Sequence, residues 1–167
     1  MSATEERKQV IDFTGKYYRE PNRFVAAADP GFDDTPEGMA DKVVGVQRGT
    51  IHQAYMATHY PATALKLYGS QEHVLIDLTL GRLDAVLGEA PQLDAGFLRT
   101  PAGAGFAFFG ADHFDPLIQG EGAAVGVRKE DAGLRDRFSA AIATIRADGS
   151  YAAIADRYFA MDIYGAD

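Results

Sequence analysis

Between residues 42 and 87, short β-branched runs alternate with helix-start signals, and this alternation restricts the fold more than any other feature of the chain. Lys42 to Val46 (KVVGV) reads as a strand, Gln47, Arg48 and Gly49 as a tight turn, and Thr50 as the start of a helix reaching about His59. Leu65 to Tyr68 is strand-like and Ser70 is a good N-cap. Val74, Leu75 and Leu78 then share one helix face before Gly81 stops it. Leu83 to Leu87 (LDAVL) returns as a strand. Strand and helix in alternation argue for an α/β architecture, a parallel or mixed sheet with helices on its faces.

The flanks are read from the same signals. The charged TEERK stretch predicts a helical turn, followed by a short strand before Thr14, Gly15 and Lys16. Arg23 to Ala28 (RFVAAA) reads as a strand, and Pro30 to Gly38 as a polar loop. Ala123 to Val127 (AAVGV) predicts a further strand. Leu134, Phe138, Ala141, Ile142 and Ile145 recur at the period of an amphipathic helix, which Asp148 and Gly149 end. Ser150 is expected to cap a last helix bearing Tyr151, Ile154, Tyr158 and Phe159.

Composition removes several classes of function. The 167 residues carry 16 basic against 24 acidic side chains, a net charge of -8, which is the opposite of what counterion-releasing nucleic-acid binding requires. The chain has no cysteine, which removes disulfides, thiolate metal sites and cysteine nucleophiles. None of His52, His59, His73 and His113 stands in an HExxH or i, i+4 pair, so no metal site is expected. The GxSxG, GxxxxGK[ST] and GxGxxG signatures are missing, and no cofactor is implied. No run approaches the roughly 18 to 20 apolar residues that cross a bilayer, and MSATEERKQV has neither a basic n-region nor an apolar h-region.

Two positions stand out for chemistry. Unpaired N–H groups at the Gly49–Thr50 helix start suit a carboxylate or phosphate, although Thr50 capping its own helix explains the same residues. Glu89 stands just past the strand Leu83 to Leu87, where open α/β sheets bind ligands, although an exposed loop acid would look the same. Together they offer N–H groups for a carboxylate and an acid for an ammonium. Those are the two charges of an amino acid.

The strings SATEERKQVIDFTGKYY, KVVGVQRGTIHQAY, GRLDAVLGEA and AVGVRKED…IRADGSYAAIADRYFAMDIYG resemble the periplasmic solute-binding proteins of ABC importers for polar amino acids. Within that family they are closest to the histidine, lysine-arginine-ornithine, arginine and opine binders. The resemblance implies a type II periplasmic-binding-protein fold of two α/β lobes closing on a ligand, with no catalysis and with importer membrane subunits as partners. It gives Arg7 the ligand α-carboxylate, with Ser2 nearby, gives Thr50 a donor role to that carboxylate, and gives Glu89 the α-ammonium. Bidentate guanidinium, helix-start N–H groups and a carboxylate are the physics a zwitterion requires.

The chain departs from the family pattern at Ile51, where many relatives carry a second threonine, and at Glu89, which replaces the usual aspartate. His52 stands where relatives vary between glutamine and histidine, which gives it a rim role. The chain begins at a motif that lies well inside the relatives, so a stretch on the order of 60 residues of the first lobe, with the signal peptide, is expected to be missing. On this mapping residues 1–20 and 113–167 are the remnant of lobe 1 and residues 21–112 a complete lobe 2. Localisation is periplasmic by resemblance, and cytoplasmic for the chain as written. The face of Leu134, Phe138, Ile142 and Ile145 would then lack its sheet, so exposure and a homodimer are expected. A self-associating structural or regulatory module that binds no solute is the rival reading. An enzyme resembling the dehydratases that share this fold is the third.

Overall fold

The structure is a computed structural model that describes residues 1–19, 21–159 and 163–164. In chain order the elements are α1 (Glu5–Lys8), β1 (Asp12–Phe13), β2 (Asn22–Ala27), β3 (Val43–Gln47), α2 (Ile51–His59), β4 (Ala64–Tyr68), α3 (Gln71–Thr79), β5 (Ala85–Glu89), α4 (Ala90–Leu93), β6 (Phe106–His113), α5 (Pro116–Gln119), β7 (Gly126–Val127), α6 (Ala132–Ala147) and α7 (Ser150–Ala155), with a π-helical turn at Asp94–Leu98. They fall into two units, Pro21–Phe114 and Met1–Glu20 with Asp115–Asp167.

The Pro21–Phe114 unit holds a five-stranded sheet in the order β4-β3-β5-β2-β6. The three strands read from the alternation are mutually parallel through β3, while β2 runs antiparallel to both β5 and β6. Strand alternation sends side chains to two layers. Val25 and Val86 point to one, where they pack with Val74 and Leu78 of α3 and with Leu83, Leu93 and Phe97. Phe24 points to the other, where its ring meets Tyr60, Phe109 and His113. Gly45 is required in β3 because a Cβ there would lie 2.4 Å from Leu83 Cδ1 and 2.9 Å from Val74 Cγ1.

The sequence reading missed β6, whose FAFF run lacks a polar alternation and which Gly110 interrupts at φ 70°. An edge strand hydrogen-bonded on one side only has no reason to alternate strictly.

The other unit has a two-stranded ladder, β1 with β7, of two residues each. The strand expected over Ala123 to Val127 is therefore shorter. Thr14 Oγ1 accepts from the Val125 N–H at 3.1 Å, a bond that would otherwise extend the ladder, and Ala123 makes only isolated bridges to Ser2 and Tyr18. Ser150 does not cap α7. Gly149 holds the N-cap position at φ 81°, and the Asp148 carboxylate accepts the Ser150 N–H at 2.8 Å, so Ser150 is already helical. That helix ends at Ala155, leaving Tyr158 and Phe159 beyond it. Helix α6 has no buried residue, and Leu134, Phe138 and Ile145 are 39%, 43% and 37% exposed, with Ile142 half-buried. Ala160, Met161, Asp162 and Gly165 of the tail motif lie outside the described residues.

Candidate functional site

Parallel strands bring their carboxyl ends to one edge of the sheet, and two of the expected residues lie there. Gly49 turns the chain after β3 at φ 72°, and Thr50 then takes the extended backbone of an N-cap. Its hydroxyl does not cap, because Thr50 Oγ1 donates to the Gln47 carbonyl at 2.7 Å. This corrects the reading of the side chain as a cap, since in this conformation the hydroxyl proton does not serve helix α2. Helix α2 also has no acidic residue in its first turn. Its leading N–H groups, aligned with the helix dipole, therefore keep their affinity for an anion. Helix α3, built from the same strand–turn–helix pattern, is finished differently, since Ser70 Oγ accepts from the His73 N–H at 3.4 Å.

Glu89 closes β5 and stands at the N-cap position of α4, yet its carboxylate makes no cap bond. Among the described residues it joins no hydrogen bond or ion pair. The group is half-buried, and burial pushes its carboxyl above the usual range, against a smaller downward pull from the N-terminal ammonium.

His52 is the second residue of α2 and only 8% exposed, so it lies inside the unit and not at a rim. Its Nε2 is 3.0 Å from Asn22 Oδ1, and burial lowers the imidazole to about 4, which keeps it neutral. Asn22, which the sequence reading passed over, is fully buried at the head of β2 and directly opposite Glu89 in the ladder. One polar residue after a proline gives no sequence signal of that kind.

Ser2 and Arg7 lie together in the other unit. Arg7 Nη1 donates to the Ser2 carbonyl at 3.0 Å, and Ser2 is bridged to Ala123. A cavity of about 300 Å³ in that unit is lined by Lys8, Asp12, Thr14, Lys16, Glu121 and Arg135 among others, but by neither Ser2 nor Arg7. Of its charged residues Arg135 pairs with Asp12 at 3.1 Å, and Lys8 pairs at 2.8 Å with Glu5, which is not part of the lining. Among the described residues no cluster of ligating side chains suits a metal ion.

The sequence profile of the bacterial extracellular solute-binding proteins, family 3, matches residues 1–161. The chain belongs to this family. Among its relatives, this family 3 protein is 40% identical over 169 positions to the L-arginine-binding protein of Pseudomonas aeruginosa, covering 100% of this chain and 65% of that one. It is 36% identical over 167 positions to the histidine-binding periplasmic protein of Escherichia coli, covering 99% and 64%. A periplasmic His/Glu/Gln/Arg/opine family-binding protein from Silicibacter pomeroyi, solved in complex with lysine, superposes with a TM-score of 0.80 at 30% identity, over 99% of this chain and 70% of that one. The periplasmic-binding-protein fold read from the motifs is thus the fold observed. The family 3 chain spans about 65% of the length of the curated relatives it matches.

Proposed function

We propose that this chain is the amino-acid-binding component of an ABC importer, with a basic amino acid or an opine as ligand and the importer's membrane subunits as partners in the periplasm. The observation that carries the reading is Glu89, a half-buried carboxylate with no hydrogen bond or ion pair among the described residues, at the same sheet edge as the uncapped start of α2. The Gly49 N–H is taken by Gln53 Oε1 at 2.8 Å. A carboxylate for an ammonium and the N–H groups of the first turn of α2 for a carboxylate match the two charged groups of an α-amino acid. In this reading the Pro21–Phe114 unit corresponds to the second lobe and the other unit to the remnant of the first, and Arg7, with Ser2 beside it, pairs with the ligand carboxylate. Relatives named for arginine and histidine, and a neighbour solved in complex with lysine, support a basic ligand. No helix among the described residues is long and apolar enough to cross a membrane.

A thermal-shift screen of arginine, histidine, lysine, ornithine and an opine tests the reading. A ligand at 100 times its Kd adds about 2.7 kcal/mol to stability. The expected result is stabilisation by at least one basic ligand that Glu89→Gln abolishes, and failure of every ligand at millimolar concentration overturns it.

The exposed α6 face favours a second reading, a homodimer assembled through Leu134, Phe138 and Ile145. Light scattering at tens of micromolar separates a dimer from a monomer, and a stable monomer removes this reading.

A further inference from the structure

Asn22 is wholly buried, and half of its carboxamide is unused. Oδ1 takes the His52 Nε2–H at 3.0 Å, while Nδ2 has no partner among the described residues. A buried donor without an acceptor is costly and uncommon in a native fold. Strand β2 runs antiparallel to β5 with Asn22 opposite Glu89, so both side chains leave the sheet on the same face. Directly opposed residues have Cβ atoms about 4.5–5.5 Å apart, a span that one carboxamide–carboxylate hydrogen bond bridges. A donor without an acceptor and a carboxylate without a hydrogen bond thus occupy opposite positions on one rung of the ladder, although the two are not bonded to each other in this structure.

We propose that Asn22 is a positioning residue for the ammonium site, its Nδ2–H donating to the Glu89 carboxylate so that the carboxylate stays ionised and aimed at a cationic ligand group. The inference rests on the reading of Glu89 given above. His52 fixes the orientation: its neutral ring gives a proton to Oδ1, which turns the amide nitrogen to the opposite side. One other charge bears on Glu89: the N-terminal ammonium draws its carboxyl down, against the larger effect of burial. His113 of β6 lies across the ladder from Asn22 and is held 3.1 Å from Asp34, while Arg23 alternates to the opposite face and meets Asp112 at 3.3 Å. Helix α4 has no charged residue, and α3, with Glu72, His73 and Asp77, packs on the face that Val25 and Val86 share.

The test is a carbon-detected NMR titration of the Glu89 carboxyl in the full chain without ligand. In the unsubstituted chain the Asn22 side-chain amide proton is expected to follow that titration, moving downfield as Glu89 ionises. In Asn22→Ala the Glu89 carboxyl is expected to bind its proton about tenfold more tightly, because a donor to the charged form is lost. His52→Gln, whose amide still donates to Oδ1, is expected to titrate as the parent does. An Asn22 amide proton indifferent to the Glu89 titration overturns the proposal even where Asn22→Ala fails to fold. If the titrations couple but Glu89→Gln leaves amino-acid stabilisation intact, the bond stands and the ammonium reading falls. If Glu89→Gln abolishes stabilisation while the titration ignores Asn22, the reading stands and this inference falls.

Discussion

Val74 and Leu78 of α3 are 0% and 2% exposed, whereas Leu134, Phe138 and Ile145 of α6 keep 39%, 43% and 37% of their surface in solvent. Both helices carry an apolar stripe at helical spacing. The stripe of α3 lies on a five-stranded sheet, while the unit that holds α6 has a ladder of two residues per strand. Periodicity reports that a helix has a face to bury, and it carries no information about whether the chain supplies the surface to bury it on. Helix α6 is instead tied down by polar links at its margins: Ser139 Oγ accepts the Gly15 N–H at 3.1 Å, and Arg135 pairs with Asp12.

The contrast breaks most directly under truncation of apolar side chains. Leu87→Ala, in the sheet, is expected to cost about 2–5 kcal/mol in urea unfolding, since a fully buried side chain leaves a cavity. Equal losses from Leu87→Ala and Phe138→Ala would mean that α6 is covered in solution.

A pH series sharpens the contrast, because His52 belongs to the sheet unit alone. Its imidazole takes a proton near pH 6.5 when unfolded and only near pH 4 when folded. Between those values the unfolded state holds more protons, so the contribution is complete above pH 6.5 and is lost as pH falls toward 4. The expected loss between pH 7 and 5 is about 2 kcal/mol, and His52→Gln should remove it. A parent and a variant with the same pH slope would contradict the burial of His52.

Smaller effects compare the two helix starts. Ser70→Ala removes a working cap and is expected to cost about 1 kcal/mol by thermal or chemical unfolding. Thr50→Val removes only the bond to the Gln47 carbonyl, about 0.5–1.5 kcal/mol, and leaves the α2 N–H groups as they were. Amino-acid binding should therefore survive Thr50→Val, and its loss would return the hydroxyl to the ligand. The smallest effect is Phe138→Ala in the monomer, within about 0.5 kcal/mol.

What the sequence disclosed and withheld follows the same division. The run KVVGVQRGT could be read in full because strand propensity, an obligatory left-handed glycine and a helix start act within nine neighbouring residues. The place of Glu89 at the carboxyl end of a sheet strand was legible because it stands two residues past the apolar run LDAVL. The roles of Thr50 and Ser70 looked alike in sequence, and only the turn geometry after β3, which brings Oγ1 to the Gln47 carbonyl, separates them. Asn22 and β6 were not legible, because each acquires its place through pairing across long stretches of chain, with Glu89 and His52 in one case and with β2 in the other. Ser150 was misread because one glycine fits either the end of α6 or the start of α7, and here it serves as both.

Strand β2 begins at Asn22 and β6 ends at His113, and these two residues are partners in the sheet. The sheet unit thus receives its chain and returns it at neighbouring points, with the ends about 5 Å apart, as paired strands are. Such a segment is topologically an insert, removable from its host sequence or closable into a ring by a linker of very few residues. Because a short closure restricts the unfolded chain while asking little of the folded one, a circularised Pro21–Phe114 segment should unfold at higher denaturant than its linear form.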